Sequence, residues 1–375
     1  MLPSPLSPLA LMYTKRFRLG LALGTLTLVG FGGARDRLGF HPAEGLSLTK
    51  HFSSESTSSL ESMDLVVDGN DIAGMLGDLV VAAESHSELI FTDTYLKLED
   101  GGLRRLQRSF DELSSLTSIS FGSQFGGESQ DIDVESELDG KTVLFTWDPE
   151  QAGFVASMEE SSAKDERLLK ALECETDLRF LLPEGEVELG ATWEVPLIAF
   201  KELVLPSGDL SWMPSGMPAA ELDMEAFGEL GEDLKRRGEE LLRKALKGKA
   251  KCTYLGTELH EGKALGSIAI ELSFDIEIDL IPIVEEFMGT VLEFLPMDMD
   301  LEFTFDALNL GFGLEAEGLA LWDPKAGHLV QIEMHSDADI FLELNLEAEA
   351  EGQAHSLEMS MEMVMTMDNM AAFSE

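Results

Sequence analysis

Between His328 and Ala350 the chain alternates apolar and polar residues almost without a break. Val330, Ile332, Met334, Ala338, Ile340, Leu342, Leu344 and Leu346 alternate with Gln331, Glu333, His335, Asp337, Asp339, Glu343 and Glu347. A period of two means a β-strand with one apolar and one acidic face. At about 3.4 Å per residue the strand runs roughly 70 Å, against a usual length of about 3–10 residues. Such a strand must belong to a very large sheet, and it has to bend or bulge on the way.

A second alternating run follows, with Leu357, Met359, Met361, Met363, Met365 and Met367 on one face. The two runs predict a hairpin. With Gly352-Gln353 as a two-residue turn, paired positions sum to 705, so Leu346 meets Met359, Leu344 meets Met361 and Leu342 meets Met363. A shift of one residue would set every methionine against a carboxylate row, so the parity is fixed. The apolar row Leu342, Leu344, Leu346, Met359, Met361, Met363 and Met365 is the candidate lining for a ligand. Thioethers admit three readings: adaptable core filler, lining for an apolar ligand, or soft ligands for Cu(I). The same register opposes Glu347 to Glu358, Glu343 to Glu362 and Asp337 to Asp368, which costs stability. Glu343, Glu347, Glu358 and Glu362 are therefore candidate ligands for weakly bound Ca²⁺, the alternative being solvated, salt-screened carboxylates.

The start of the chain predicts export. Lys15, Arg16 and Arg18 precede an uncharged stretch from Leu19 to Gly33 that closes on Gly32-Gly33-Ala34, the layout of a secretory signal peptide cut after Ala34. Met12 is an alternative start. Five glycines, at 20, 24, 30, 32 and 33, dilute the stretch below a comfortable bilayer span, so no transmembrane anchor is expected after processing. The expected location is periplasmic or extracellular in a bacterium. The chain has 71 acidic and 26 basic residues and a net charge of −45; losing the three basic residues of 1–34 takes it to −48. That surface repels nucleic acid and attracts cations. Cys174 and Cys252, in an oxidising compartment, are a candidate disulfide, the alternative being two buried thiols.

The fold class expected is α+β, mainly β: a large curved antiparallel sheet of long strands with about three covering helices. Strand-like runs occupy 46–67, 79–98, 103–110, 268–280 and 297–307. Gly122–Gln130 reads as a polar loop. Ile132–Leu138 and Lys141–Trp147 read as a hairpin across Asp139-Gly140, a type I′ signal. Helices are expected at 162–174, opened by the capping box Ser162-x-x-Asp165, at 219–247, and at 282–295. Trp147-Asp148-Pro149 before Gly153 recurs as Trp322-Asp323-Pro324 before Gly327, either an internal duplication or a recurrent turn. This divides the mature chain into a β-rich half, 35–215, and an α+β half, 216–375, which can share one sheet.

No His-Glu-x-x-His, Gly-x-Ser-x-Gly, P-loop or EF-hand pattern is present. Gly311-x-Gly313-x-x-Ala316 precedes a strand, not a helix, and Ser161-x-x-Lys164 lacks companion motifs. Glu84, His86 and Glu88 share a strand face and read as solvent-facing. The chain resembles a group of uncharacterised exported bacterial proteins that share a Trp-Glu-Val-Pro-like segment, here Trp193-Glu194-Val195-Pro196, and a Glu/Met-alternating C-terminal hairpin. The resemblance implies export and no activity. A fold-level analogy is the curved half-barrel of bacterial lipoprotein carriers. The function expected is non-enzymatic: an exported protein holding a hydrophobic small molecule, lipid or partner on the apolar face of its sheet. The alternative is an acidic structural or surface protein that gathers cations.

Overall fold

The alternating runs fold as strands: those expected at 46–67, 79–98 and the C-terminal hairpin keep close to their expected bounds, whereas those expected at 103–110 and 297–307 belong to the much longer strands Gly102–Ser123 and Leu301–Asp323. A computed structural model of the chain describes residues 35–73, 79–99, 102–123, 126–158, 168–169, 172–214, 246–282, 284, 301–350 and 353–375. In chain order the strands are β1 (Asp36–Arg37), β2 (Ser47–Val67), β3 (Asn70–Asp71), β4 (Val80–Glu99), β5 (Gly102–Ser123), β6 (Gly126–Ser136), β7 (Thr142–Asp148) and β8 (Gly153–Ser157). They continue as β9 (Glu186–Val187), β10 (Thr192–Pro196), β11 (Trp212–Pro214), β12 (Lys249–His260), β13 (Lys263–Asp279), β14 (Leu301–Asp323), β15 (His328–Ala350) and β16 (Gln353–Ser374). β14 and β15 have 23 residues each, about 75 Å of extended chain. Among the described residues all strands but β1 and β9 belong to one 14-stranded sheet, whose main path is β10-β12-β13-β14-β15-β16-β2-β4-β5-β6-β11. Every pairing is antiparallel, and both expected halves of the mature chain contribute to this sheet.

The C-terminal hairpin keeps its predicted parity but not its predicted pairs. Partners across β15 and β16 sum to 703, not 705: Leu346 faces Leu357, Leu344 faces Met359, Leu342 faces Met361 and Ile340 faces Met363. A slip of two leaves apolar against apolar, which is why periodicity could not detect it. It changes the acidic face completely. Glu347 now faces Ser356, Asn345 faces Glu358, Glu343 faces Ser360, Asp337 faces Thr366 and His335 faces Asp368.

The Asp139-Gly140 hairpin does not form. β6 and β7 both pair with β5, one after the other along the same edge. Residues 137–140 make a turn between them, with Gly140 at φ +70°. Asp139 Oδ1 accepts a hydrogen bond from the Leu113 amide (3.0 Å), and Leu138 is fully buried. β5, at 22 residues, offers an edge long enough for both runs; folding them on each other would leave that edge unpaired. The expected loop at 122–130 is likewise the tip of a long hairpin, since Ser123 pairs with Gly126.

The helical expectation is corrected where it falls within view. Among the described residues the one helix described in full is α1 (Lys201–Val204). Residues 215–245, 285–300 and 159–167, which hold most of the three expected helices, lie outside the described residues, as does 1–34. Where description resumes inside the expected spans, residues 168–169, 282 and 284 are helical as expected, whereas Leu172 makes a lone bridge to Gly208 and residues 246–247 are not helical.

The two Trp-Asp-Pro turns share their mechanics. Each joins its strands through four residues, from Asp148 to Gly153 and from Asp323 to His328. In each the aspartate accepts amide hydrogen bonds within the turn, an Asx-type closure. The left-handed residue is the fourth of the loop in both, Ala152 (φ 50°) and Gly327 (φ 78°). Glycine therefore takes the positive φ only in the second copy.

Candidate functional site: the inner face of the sheet

One face of the sheet carries the apolar alternation and the other the acids. On the inner face, the first half is packed beneath residues 172–214, which supply Leu178, Leu181, Val187, Leu197, Leu203 and Leu210 to the same core as Leu48, Phe52, Phe91, Phe110, Ile268 and Ile332. These side chains are each at most 6% exposed.

This covering segment is fastened by a buried ionic cluster that periodicity did not single out. Lys50 Nζ donates to Asp93 Oδ2 (2.8 Å), Asp177 Oδ1 (2.6 Å) and Thr176 Oγ1 (2.9 Å). Arg108 grips Asp93 with two nitrogens, Nε (2.7 Å) and Nη2 (2.8 Å). It also donates to Ser207 Oγ (2.7 Å) and to the carbonyls of Glu173 (3.0 Å) and Cys174 (2.9 Å). Tyr95 donates its hydroxyl to Asp177. Lys50, Asp93 and Arg108 are wholly buried on β2, β4 and β5, and their partners Glu173, Cys174, Thr176, Asp177 and Ser207 lie on the cover. Burial alone would pull the Lys50 pKa down; Asp177 and Asp93 reverse this and hold it above its ordinary value. Burial likewise pushes Asp93 up, but Arg108 and Lys50 outweigh it and hold the carboxyl at about 2. Four complementary charges with their hydrogen bonds satisfied make a lock, not a reactive site. A sequence signal did exist: Leu48-x-Lys50-x-Phe52, Phe91-x-Asp93-x-Tyr95 and Leu106-x-Arg108-x-Phe110 each set a charge in the middle of an apolar face.

Beyond this lock the inner face changes at a similar height on every long strand. Inner-facing residues are buried up to Ile270 on β13, Ala316 on β14, Ala338 on β15, Asn369 on β16, Phe52 on β2, Leu89 on β4 and Leu113 on β5. Past those positions they are half-buried, apart from the buried Leu308 (9% exposed) and the exposed Phe121 (48%) and His355. This half brings together all seven predicted lining residues, Leu342, Leu344, Leu346, Met359, Met361, Met363 and Met365, each half-buried. Ladder pairing adds Leu310 and Phe312 on β14 and Leu60, Met63 and Leu65 on β2, which sequence patterning alone did not connect. On β2, β4, β5 and β13–β16 the inner-facing positions of this half-buried half, from Leu272 and Leu314 at one side to Ser115–Phe121 at the other, carry no Asp, Glu, Lys or Arg side chain among the described residues.

The predicted calcium ligands are not brought together as pairs. Glu343 accepts from Asn309 Nδ2 (3.1 Å) and Glu362 from Ser62 Oγ (3.2 Å), while Glu347 and Glu358 face Ser356 and Asn345. The outer face instead opposes Glu315 to Asp337 and Glu271 to Glu317. A shallow outer groove of about 530 Å³ is lined by Glu55, Glu317, Glu333, His335 and Asp368 among others. The hydrogen bond from His335 to Asp368 (2.8 Å) raises the imidazole pKa. Glu84, His86 and Glu88 lie on this outer face, where His51 pairs with Glu88 (2.8 Å).

The predicted disulfide is not formed: Cys174 and Cys252 are separate buried thiols. Cys174 lies on the cover against Arg108 of β5, whereas Cys252 is on β12, opposite Trp193 and Ile270 and near the other edge of the sheet. Burial pushes both thiols up, Cys252 to about 12. The Trp-Glu-Val-Pro segment is the edge strand β10, ending at Pro196, where a missing amide costs the sheet least. No protein-family model matches the chain, and no curated protein matches it.

Proposed function

We propose that this is an exported, non-enzymatic protein that holds a hydrophobic ligand on the half-buried apolar half of its inner face. One observation carries the reading. A chain with 71 acidic residues keeps charge off a half-buried apolar surface crossing seven strands. Apolar surface of that extent left only half-buried is costly in water unless something further covers or occupies it. The methionines favour a ligand of variable shape, since the unbranched thioether adapts to what it meets. Export rests on the signal-peptide pattern of 1–34 and on the resemblance to exported proteins.

The reading is tested on protein purified from its own host. Native mass spectrometry should find added mass, and the neutral probe N-phenyl-1-naphthylamine should bind at about 10 µM or tighter, near −7 kcal/mol. Met361→Glu with Leu344→Glu should weaken the probe at least tenfold by placing charge in the apolar surface. Apo protein alone, with no probe binding at about 100 µM, would end the carrier reading. N-terminal sequencing should begin near Arg35.

A second reading, an acidic surface that gathers cations, is favoured by the opposed pairs Glu315–Asp337 and Glu271–Glu317.

A further inference from the structure

We infer that the ligand is an uncharged amphiphile, its hydroxyl-bearing head seated on a hydroxyl patch of β2, β4 and β5 and its chain lying along the methionine and leucine rows. This rests on the carrier reading and names the chemistry of its ligand.

The patch is set by register. Ser54 faces Ser87 and Ser56 faces Ser85 across β2 and β4; Ser87 faces Ser115 and Ser85 faces Thr117 across β4 and β5. Two rows of three hydroxyls result, with neighbours about 5 Å apart. All six are half-buried and lie on the inner face, immediately past the last buried residues Phe52, Leu89 and Leu113. Ser85 and Thr117 bond to each other (3.1 Å). Ser54, Ser56, Ser87 and Ser115 make no side-chain hydrogen bond among the described residues. Serine is a poor choice for an apolar face unless its hydroxyl has something to bond.

Apolar surface borders the patch. Met367 faces Ser56 and Met365 faces Ser58 on one side, and Ala83 pairs with Ile119 on the other. From Met367 to Leu357 the β16 row offers about 33 Å of apolar track.

Charge complementarity selects the head. No lysine or arginine occupies an inner-facing position of the half-buried half on these strands among the described residues, so a carboxylate or phosphate there would lose hydration with no cation of these strands to meet it. Hydroxyls both donate and accept, which suits an alcohol or glyceryl head.

The experiment is displacement of N-phenyl-1-naphthylamine from the protein by monoolein and by oleate at about pH 8, where the fatty acid is ionised. Monoolein should displace at least tenfold more strongly. The triple variant Ser56→Ala, Ser85→Ala, Thr117→Val should weaken monoolein about tenfold relative to the probe, with an unchanged circular dichroism spectrum and cooperative melting reporting that the variant is folded. If the probe never binds, this inference and the carrier reading fall together. If the probe binds but oleate displaces as well as monoolein, or the variant binds monoolein normally, the head assignment is overturned and the carrier reading survives.

Discussion

Lys50 and Asp177 are 127 positions apart in the chain, yet the ammonium and the carboxylate lie 2.6 Å apart at full burial. Lys50 sits at the second inner position of β2, after Leu48, and Asp177 on the segment that covers it. Past the lock the inner face stays buried as far as Phe52, Leu89 and Leu113 on its three strands and is half-buried after them.

Replacing Lys50 by Met should be severely destabilising. It removes one partner of a buried pair and leaves Asp177 with the Tyr95 hydroxyl alone, at a cost of about 3–5 kcal/mol. Thermal melting is the measurement; a shift of less than a degree would show that the cluster does not hold the cover.

Acid should release the cover through Asp93. Its folded pKa of about 2 lies below the ordinary 3.8, so its contribution is fully present above about pH 4 and is lost as pH falls through about 2. Glu202, on α1, has the opposite sign. Burial and then Glu175 push it up to about 7, so ionising it opposes folding as pH rises through 7. Glu202→Gln should raise the melting temperature by a few degrees at about pH 8 and leave it unchanged at about pH 4. Equal effects at both pH values would contradict this.

Both thiols should be silent in the folded protein and reactive once it unfolds. Burial raises Cys174 and Cys252 well out of the thiolate range, so Ellman's reagent at about pH 8 should titrate neither until denaturant is added, then both. No thiol in the unreduced, denatured protein would reveal a disulfide.

Gly318 and Gly311 lie on the same strand but should differ on mutation to alanine. A Cβ at Gly318 would sit 2.6 Å from Met334 Cγ and 2.8 Å from the Glu333 carbonyl oxygen, whereas at Gly311 the nearest atom is 3.4 Å away. Gly318→Ala should cost about 1–3 kcal/mol and Gly311→Ala little; equal melting temperatures would refute the close approach.

The observed hairpin register also bears on cations. Since Glu343 faces Ser360 and Phe341 faces Glu362, the Glu343→Gln, Glu362→Gln variant should respond to millimolar Ca²⁺ as the natural protein does. A stabilisation by Ca²⁺ beyond NaCl of equal ionic strength that this variant loses would restore the paired-carboxylate site.

Much of the fold was legible because strand periodicity is a local property. Ser47–Val67, Val80–Glu99 and the C-terminal hairpin alternate strongly enough to declare both strand and buried face, and the seven lining residues follow from parity. Register by twos is invisible to that signal: sums of 703 and 705 pair the same apolar rows. The ladders that β15 and β16 also make with β14 and β2 accompany the former sum, which sets acids against serine, threonine, asparagine and histidine. The Asp139-Gly140 turn was misread for a related reason, since its sequence cannot say that β5 is long enough to pair both flanking runs. The lock of Lys50, Asp93, Arg108 and Asp177 arises only when three strands and a loop from elsewhere in the chain meet. A charge in an apolar alternation marks a place where burial will demand a partner, but only tertiary structure supplies it.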